Sequence, residues 1–232
     1  MRFCRCEMLI GADALENLKN SSVAVFGVGG VGGYVVEALT RSGVGRIAII
    51  DKDVVDESNI NRQIVALTST IGKNKVDVMK QRMLDINPDV KVEAYCEFYL
   101  PDNADFIELG SFDYVVDAID NVTAKIELIK RCKQADVPII SAMGAGNKLD
   151  PTRIEIADIS KTSVCPLAKV IRRKLADLEI EGVTVAYTKE VPANASGGRT
   201  PASMMPVPAA MGLTMASKVL CDLSGMRIES RN

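Results

Sequence analysis

Glycine and polar residues that can handle a nucleotide are concentrated in the first part of this chain. Gly27, Gly29 and Gly32 form a G-x-G-x-x-G pattern between an apolar run and a segment of helical periodicity. Backbone N–H groups of such a loop, and the N-terminus of the following helix, can approach a phosphate closely. Asp51 lies 19 residues beyond Gly32, where a carboxylate can accept hydrogen bonds from ribose hydroxyls. These residues predict a nucleotide site that fits NAD as well as ATP.

The segment after Asp51 favours ATP. It carries, in order, Asp53, Asn59, Arg62, Gln63 and Lys75. A hydride-transfer site needs no such group of cations and amides, whereas cleavage of a triphosphate does. Asp120, at the predicted end of another strand, is a candidate ligand for Mg²⁺. We therefore expect an ATP site with Arg62, Lys75 and Asp120 as catalytic residues, the alternative being a solvated charged loop.

Histidine is absent from the sequence. This excludes a serine or cysteine nucleophile with a histidine base, and it excludes histidine-ligated metals. Transfer of an adenylyl group to a carboxylate remains open, because a carboxylate is already anionic and attacks without a general base. Such a reaction depends on alignment and on charge neutralisation by cations and Mg²⁺.

Strand and helix patterns alternate along the chain and position these residues. Strands are predicted at 23–27, 46–51, 91–95, 112–120 and 137–142, with helices from about Val31 to Ser42, at 72–86, near 101–109 and at 122–135. This order predicts an α/β fold with a Rossmann-like, doubly wound and mostly parallel sheet. The glycine loop and Asp51 would then lie at the carboxyl ends of neighbouring strands.

The pattern changes near residue 150. Half-buried, alternating strands are predicted at 152–158 and 183–188, flanking a helix over 166–179. Small residues at 189–205 predict a loop before a last helix. We interpret 1–232 as a single adenylating domain, with a nucleotide-binding core at 1–150 and a substrate-side extension at 151–232.

Composition limits the partners and the location of the protein. The formal net charge is −2, so contact with nucleic acid needs a local basic patch rather than a global field. The first residues show no secretory signal pattern, and no apolar run is long enough to span a bilayer. We therefore expect a cytoplasmic protein that contacts neither membrane nor DNA.

Six cysteines are scattered along the chain and none forms a C-x-x-C pair. This spacing favours free thiols and argues against a structural zinc site. Cys165 precedes Pro166 at a predicted helix start, where a thiolate would be stabilised. We expect a helix-terminal position for Cys165 without a catalytic duty.

The motifs, taken together and in order, resemble those of the ubiquitin-activating-like superfamily of adenylating enzymes. The resemblance covers residues 2 to about 150 and includes R-F-C-R, the glycine loop, D-x-D, N-x-N-R-Q, G-K-x-K and D-A-I-D. It implies that the glycines and Asp51 hold the nucleotide, that Asn59, Arg62 and Lys75 grip phosphates, and that Asp120 binds Mg²⁺; we also expect Asp53 and Gln63 in the ATP site. It also implies a homodimer in which Arg5 reaches the triphosphate of the partner. A nucleotide-sensing scaffold would lose Arg62, Lys75 or Asp120, and all three are present.

Two carboxylates are candidates for activation. One is the C-terminal glycine of a ubiquitin-like sulfur carrier; many enzymes that act on it carry two C-x-x-C pairs, which this chain lacks. The other is the threonyl carboxylate of threonylcarbamoyladenosine in tRNA, which a nitrogen of the same base attacks to close a ring with net loss of water. A sulfur-transfer protein remains a candidate partner, although the sequence does not identify one.

The second half favours the tRNA substrate. Residues 141–175, with G-A-G-N, D-P-T and K-T-x-x-x-P-L-A, resemble the corresponding region of tRNA threonylcarbamoyladenosine dehydratases. Leu167, Val170, Ile171, Leu175 and Leu178 are predicted to form the inner face of the 166–179 helix. The opposite face carries Lys169, Arg172 and Arg173, with Lys161 just upstream. We expect these four cations to contact tRNA phosphates; the alternative is an ordinary solvated helix face.

Overall fold

A computed structural model describes residues 2–193 and 201–226. In chain order the helices are α1 Cys4–Ile10, α2 Ala12–Asn20, α3 Gly32–Arg41, α4 Lys75–Ile86, α5 Val122–Gln134, α6 Pro166–Asp177 and α7 Pro206–Ser224. The strands are β1 Ser22–Phe26, β2 Arg46–Ile50, β3 Lys91–Tyr95, β4 Tyr114–Asp117, β5 Ile139–Ala142, β6 Ile154–Asp158 and β7 Thr184–Thr188.

The strands form one seven-stranded sheet in the order β3-β2-β1-β4-β5-β7-β6. All neighbouring strands are parallel except β6, which pairs antiparallel with β7 at the edge. The order reverses between β1 and β4, which creates a crevice at their carboxyl ends. The predicted doubly wound, mostly parallel α/β fold is confirmed.

Both faces of the sheet are covered by apolar helix surfaces. Val23, Val25 and Ile49 pack in one core with residues of α3, α4 and α7. Ala24 and Phe26 belong to a second core that includes residues of α5 and α6. Because successive strand residues point to opposite faces and both faces are buried, β1 is apolar throughout and shows no alternation.

The segment near 101–109 is not the predicted helix. It contains two short 3-10 turns, Ala104–Phe106 and Leu109–Ser111. Asn103 accounts for part of the difference, since its side chain accepts a hydrogen bond from the Leu100 amide and donates one to the Phe98 carbonyl. Such local side-chain bonds compete with helix formation.

The second half also differs from the sequence pattern in detail. β7 is almost wholly buried rather than alternating, because it lies between β5 and β6 within the sheet. Helix α6 packs through Ala168, Ile171 and Leu175, whereas Val170 and Leu178, which were predicted to face inward, are exposed. Of the 189–205 loop, residues 194–200 lie outside the described residues.

Among the described helices, none combines the length and the apolar character that crossing a membrane requires.

Candidate nucleotide site

The glycine loop connects the end of β1 to α3. Gly27 has φ +89, and a Cβ atom on it would lie 2.6 Å from the Ala118 carbonyl oxygen. A Cβ atom on Gly32 would lie 1.8 Å from the Gly27 carbonyl oxygen. Both positions therefore require glycine for the fold itself. Gly29 differs, because the nearest atom to its Cβ position is Gln63 Nε2 at 3.7 Å. A Cβ atom on Gly29 would therefore make only ordinary van der Waals contact, and the fold itself does not require glycine there.

Asp51 follows β2 directly and binds the glycine loop. Its Oδ2 accepts a hydrogen bond from the Val28 amide at 2.7 Å, and its Oδ1 accepts one from the Asp53 amide at 2.9 Å. Each carboxylate oxygen retains a further lone pair, so ribose hydroxyls can still donate to it. Asp51 thus lies where the sequence predicted and is fixed against the glycine loop.

Lys75 begins α4 and is brought to the same edge of the sheet by Asp53. Its Nζ donates to Asp53 Oδ2 at 2.8 Å, and its amide donates to the Asp53 carbonyl at 3.0 Å. Val54 forms an isolated antiparallel bridge with Asn74, which joins the two loop segments. The predicted 72–86 helix therefore begins three residues late, since this pairing occupies the backbone before Lys75.

Arg62 lies across the glycine loop. Its Cγ atom is 3.5 Å from the Cβ position of Gly30. Its Nη1 donates to the Ser58 carbonyl at 2.7 Å and to Asn61 Oδ1 at 2.8 Å. Nε and Nη2 have no partner among the residues that the structure describes, so these N–H groups can serve a phosphate.

Asn59 and Gln63 are both buried at the base of this loop. Asn59 Oδ1 accepts a hydrogen bond from the Asp56 amide at 3.3 Å, so its side chain stabilises the turn. Gln63 is 8% exposed, and its Oε1 has no partner in the described part of the chain. A buried amide oxygen without a donor is costly and indicates a missing water or ligand group. The residues around the glycine loop therefore fit a bound nucleotide.

Asp120 does not end a strand, contrary to the prediction. β4 ends at Asp117, and Asp120 is exposed three residues later, just before Asn121 caps α5. No described residue pairs with its carboxylate, and no cluster of three metal-ligating side chains occurs in the described ranges. A single open carboxylate still suits Mg²⁺, which usually binds through one or two carboxylates, water and substrate phosphates.

Arg5 lies on α1, the helix with no buried residue. Its side chain is exposed, and the neighbouring Met8 and Leu9 are 86% and 81% exposed. Among the described residues of its own chain, the Arg5 side chain has no hydrogen-bond or ion-pair partner. An exposed apolar helix of this kind is suited to contact with another surface.

The predicted basic face of α6 is partly open. Lys161, Lys169 and Arg173 are exposed. Arg172 is half-buried instead, and its Nη1 donates to the Thr162 carbonyl at 2.9 Å and to Thr162 Oγ1 at 2.7 Å. Arg172 joins α6 to the preceding turn rather than facing solvent as the sequence suggested.

Cys165 is the residue immediately before α6 and is 3% exposed. Its Sγ lies 3.5 Å from the Cβ position of Gly144, so the thiol faces the interior. Nearby, Lys148 is 4% exposed and its Nζ donates to the Thr188 carbonyl at 3.4 Å. Burial lowers the pKa of Lys148. Burial of both groups argues against a macromolecular substrate reaching the Cys165 sulfur.

Sequence reasoning missed a buried polar group beneath the site. Asp117, Lys125 and Ser141 are each 0% exposed and hydrogen-bonded to one another. The available signal was the single aspartate in the otherwise apolar strand Tyr114–Asp117. Its partners could not be found in the same way, because a lysine in a helix is usually a surface residue.

Comparison with known proteins identifies the class. A model of the ThiF family matches residues 3–232. The chain therefore belongs to the ThiF family, and the resemblance seen in the sequence is confirmed. It is also similar to the sulfur carrier protein adenylyltransferase of Thermus thermophilus, at 41% identity over 48% of this chain and 41% of that protein.

Two proteins that match nearly the whole chain, and nearly the whole of their own length, are tRNA threonylcarbamoyladenosine dehydratases. The Bacillus subtilis dehydratase is 48% identical over 96% of this chain and 94% of its own length. The crystal structure of the Escherichia coli dehydratase in complex with ATP superposes with a TM-score of 0.90 at 35% identity, covering 97% of this chain and 94% of that one. The complex of the same enzyme with AMP gives the same values.

Proposed function

We propose that this protein is an ATP-dependent dehydratase that cyclises threonylcarbamoyladenosine in tRNA. The observation that carries the proposal is the full-length similarity to dehydratases, including an enzyme with ATP and AMP bound. The site supports it, because the fold does not itself require glycine at position 29 and the buried Gln63 Oε1 has no partner among the described residues, as a nucleotide on the glycine loop would explain. The lack of C-x-x-C pairs disfavours the ubiquitin-like carrier as substrate.

The reaction takes place in two steps. The first, adenylation of the carboxylate, needs no general base because the carboxylate is already anionic. The threonyl carboxylate attacks the α-phosphorus of ATP, an oxygen–phosphorus bond forms, and pyrophosphate leaves. A carbamoyl nitrogen of the same base then attacks the acyl carbon, its proton passes to water, and the bond from the acyl carbon to the AMP oxygen breaks so that AMP leaves. The products are the cyclic base, AMP and pyrophosphate, so the base has lost the elements of one water molecule.

The chain supplies binding, alignment and positive charge for these steps. Asp51 holds the ribose, and the glycine loop holds the phosphates. Lys75 and Arg62 offer donors to the charge that develops on the phosphates. Asp120 is the residue that would hold Mg²⁺, which when bound neutralises phosphate charge. Lys161, Lys169 and Arg173 form an exposed basic surface suited to the tRNA backbone, in a protein whose formal charge is −2.

Mass spectrometry of nucleosides tests the substrate. The protein is incubated with ATP, Mg²⁺ and tRNA that bears threonylcarbamoyladenosine, and the modified base should lose the mass of one water molecule. A Lys75→Met variant provides the control for contaminating activity. An unchanged base together with adenylation of a ubiquitin-like carrier would establish the alternative substrate.

We also propose a homodimer whose site is completed by Arg5 of the second copy. Arg5 has no described partner within its own chain, and α1 exposes Met8 and Leu9. Arg5→Ala and Lys75→Met should each inactivate the enzyme. Mixed and re-equilibrated, they should recover about a quarter of wild-type activity, because half of the dimers carry one intact site. If both single variants are inactive and the mixture recovers no activity, Arg5 acts in the site of its own chain; if Arg5→Ala alone keeps its activity, Arg5 lies outside catalysis.

A further inference from the structure

Asp117, Lys125 and Ser141 form a closed polar group in the sheet below Asp120. Asp117 and Ser141 are opposite each other in neighbouring strands β4 and β5. Lys125 reaches them from α5, and its Nζ lies 2.9 Å from Asp117 Oδ2 and 3.3 Å from Ser141 Oγ. Ser141 Oγ donates to the same Asp117 oxygen at 2.5 Å. None of the three is exposed, so none can touch a nucleotide.

The second oxygen of Asp117 determines the path of the chain towards Asp120. Oδ1 accepts a hydrogen bond from the Ile119 amide at 3.1 Å. The preceding amide, that of Ala118, donates to the Phe26 carbonyl at 2.8 Å. The Ala118 carbonyl oxygen is the atom that lies 2.6 Å from the Cβ position of Gly27. A single carboxylate thus fixes the turn that both contacts the glycine loop and leads into Asp120.

We propose that Asp117, Lys125 and Ser141 are positioning residues that hold Asp120 at a fixed place relative to the glycine loop. This inference rests on the proposed ATP-dependent function. Lys125 and Ser141 orient the Asp117 carboxylate, and the Asp117–Ile119 bond transmits that orientation to the loop. A buried ion pair contributes little net stability compared with apolar residues of similar size, so retention of these charges is better explained by orientation than by stability.

Two double variants separate positioning from stability. Asp117→Leu with Lys125→Met removes both charges and the acceptor for Ile119. Asp117→Asn with Lys125→Met also removes both charges but keeps an oxygen that can accept from Ile119. We expect the leucine variant to lose turnover by about 100-fold, since small misplacements near reacting groups cost that much. The turnover of the asparagine variant should be at least tenfold higher than that of the leucine variant. The KM for ATP of both variants should stay within a few-fold of the wild-type value.

Leu128→Ala is the matched control on the same helix, because Leu128 is fully buried in the core and its side chain has no polar atom that could bond to the polar group. It should lower Tm while leaving turnover unchanged at temperatures where the protein is folded. Equal turnover losses in the two double variants, or losses that follow Tm in the same way as the control, would overturn the proposal. If the double variants do not fold, Ser141→Ala provides the test, and unchanged turnover in that variant would overturn it.

Calorimetric titration with ATP keeps this inference separate from the tRNA reaction. The leucine variant should bind ATP without Mg²⁺ as wild type does, yet gain less affinity when Mg²⁺ is added. An equal gain in wild type and variant would show that Asp120 is not displaced. This measurement needs no tRNA turnover, so it remains valid if the substrate proves to be another carboxylate.

Discussion

Lys75 Nζ donates to Asp53 Oδ2 over 2.8 Å, with the lysine side chain 6% and the aspartate side chain 51% exposed. The ammonium group is therefore oriented at the start of α4 by a residue of its own chain. Preorganised charge of this kind stabilises developing charge without a reorganisation cost during the reaction. Asp53 thus has a structural reason to be present even if it does not touch the nucleotide.

Lys75→Met should lower turnover by about 100-fold to 1,000-fold, the usual effect of removing one charge-stabilising donor. Steady-state kinetics with saturating ATP would measure this. Lys73→Met is the matched control, because Lys73 is exposed two residues earlier in the same loop. Its turnover should stay near that of wild type, and similar losses in both variants would indicate a general effect of charge.

Gly29 and Gly32 should respond differently to the same substitution. Gly32→Ala places a methyl group 1.8 Å from the Gly27 carbonyl oxygen, so it should destabilise the fold strongly. Gly29→Ala meets no atom closer than 3.7 Å, so its thermal midpoint should match wild type. Its ATP affinity should nevertheless fall, because the methyl group occupies space needed by the phosphates. Thermal unfolding and calorimetric titration would measure the two effects, and unaltered ATP binding by Gly29→Ala would place the phosphates elsewhere.

Much of this arrangement could be predicted from the sequence because local rules dictate it. Gly27 and Asp51 each come directly after a short apolar run, and the carboxyl ends of parallel strands meet at one edge. The end of α3 was predictable for the same reason, since Gly43 has φ +91 just after its last turn. Strand, turn and helix termini of this kind are visible in a single sequence.

Features that depend on contacts between distant residues could not be predicted. Arg172 belongs by periodicity to the polar side of α6, yet Thr162, ten residues away, holds it against the protein. The burial of Lys125 could not be predicted for a similar reason, because it depends on an ion pair with Asp117 in another element. Sequence period determines the side of a helix, but the neighbouring element determines whether that side is exposed.

Ionisation of Glu37 should make the free energy of unfolding depend on pH in the range below the usual pKa of a glutamate. Glu37 lies on α3 and accepts hydrogen bonds from Arg82 of α4 at 2.6 and 2.9 Å, and from Arg41 at 2.6 Å. Burial opposes ionisation, but the bonds from Arg82 and Arg41 outweigh it and hold the pKa of Glu37 below 4.5. The stabilisation is therefore present above pH 4.5 and is lost as pH falls through the lowered pKa of the folded state.

Glu37→Gln should reduce the free energy of unfolding by about 1 to 2 kcal/mol at pH 7, since both arginines are partly solvated. Urea titrations at pH 7 and at successively lower pH below 4.5 would show the difference from wild type shrinking. Glu16→Gln removes an exposed pair with Lys19 and should change little at any pH. A Glu37→Gln deficit that persists at low pH would mean that size or polarity, not charge, is responsible.

Arg172 and Arg173 are adjacent in sequence but should affect different properties. Arg173 is exposed, so Arg173→Ala should weaken tRNA binding and reduce the slope of log affinity against log salt by about one. Arg172 is bonded to Thr162, so Arg172→Ala should lower the free energy of unfolding by about 1 kcal/mol and leave the salt slope unchanged. Binding measured at several salt concentrations, together with urea unfolding, distinguishes the two roles. If Arg173→Ala leaves the salt slope unaltered, this face of α6 is ordinary solvated surface. If Arg172→Ala reduces it as well, the bond to Thr162 must open when tRNA binds.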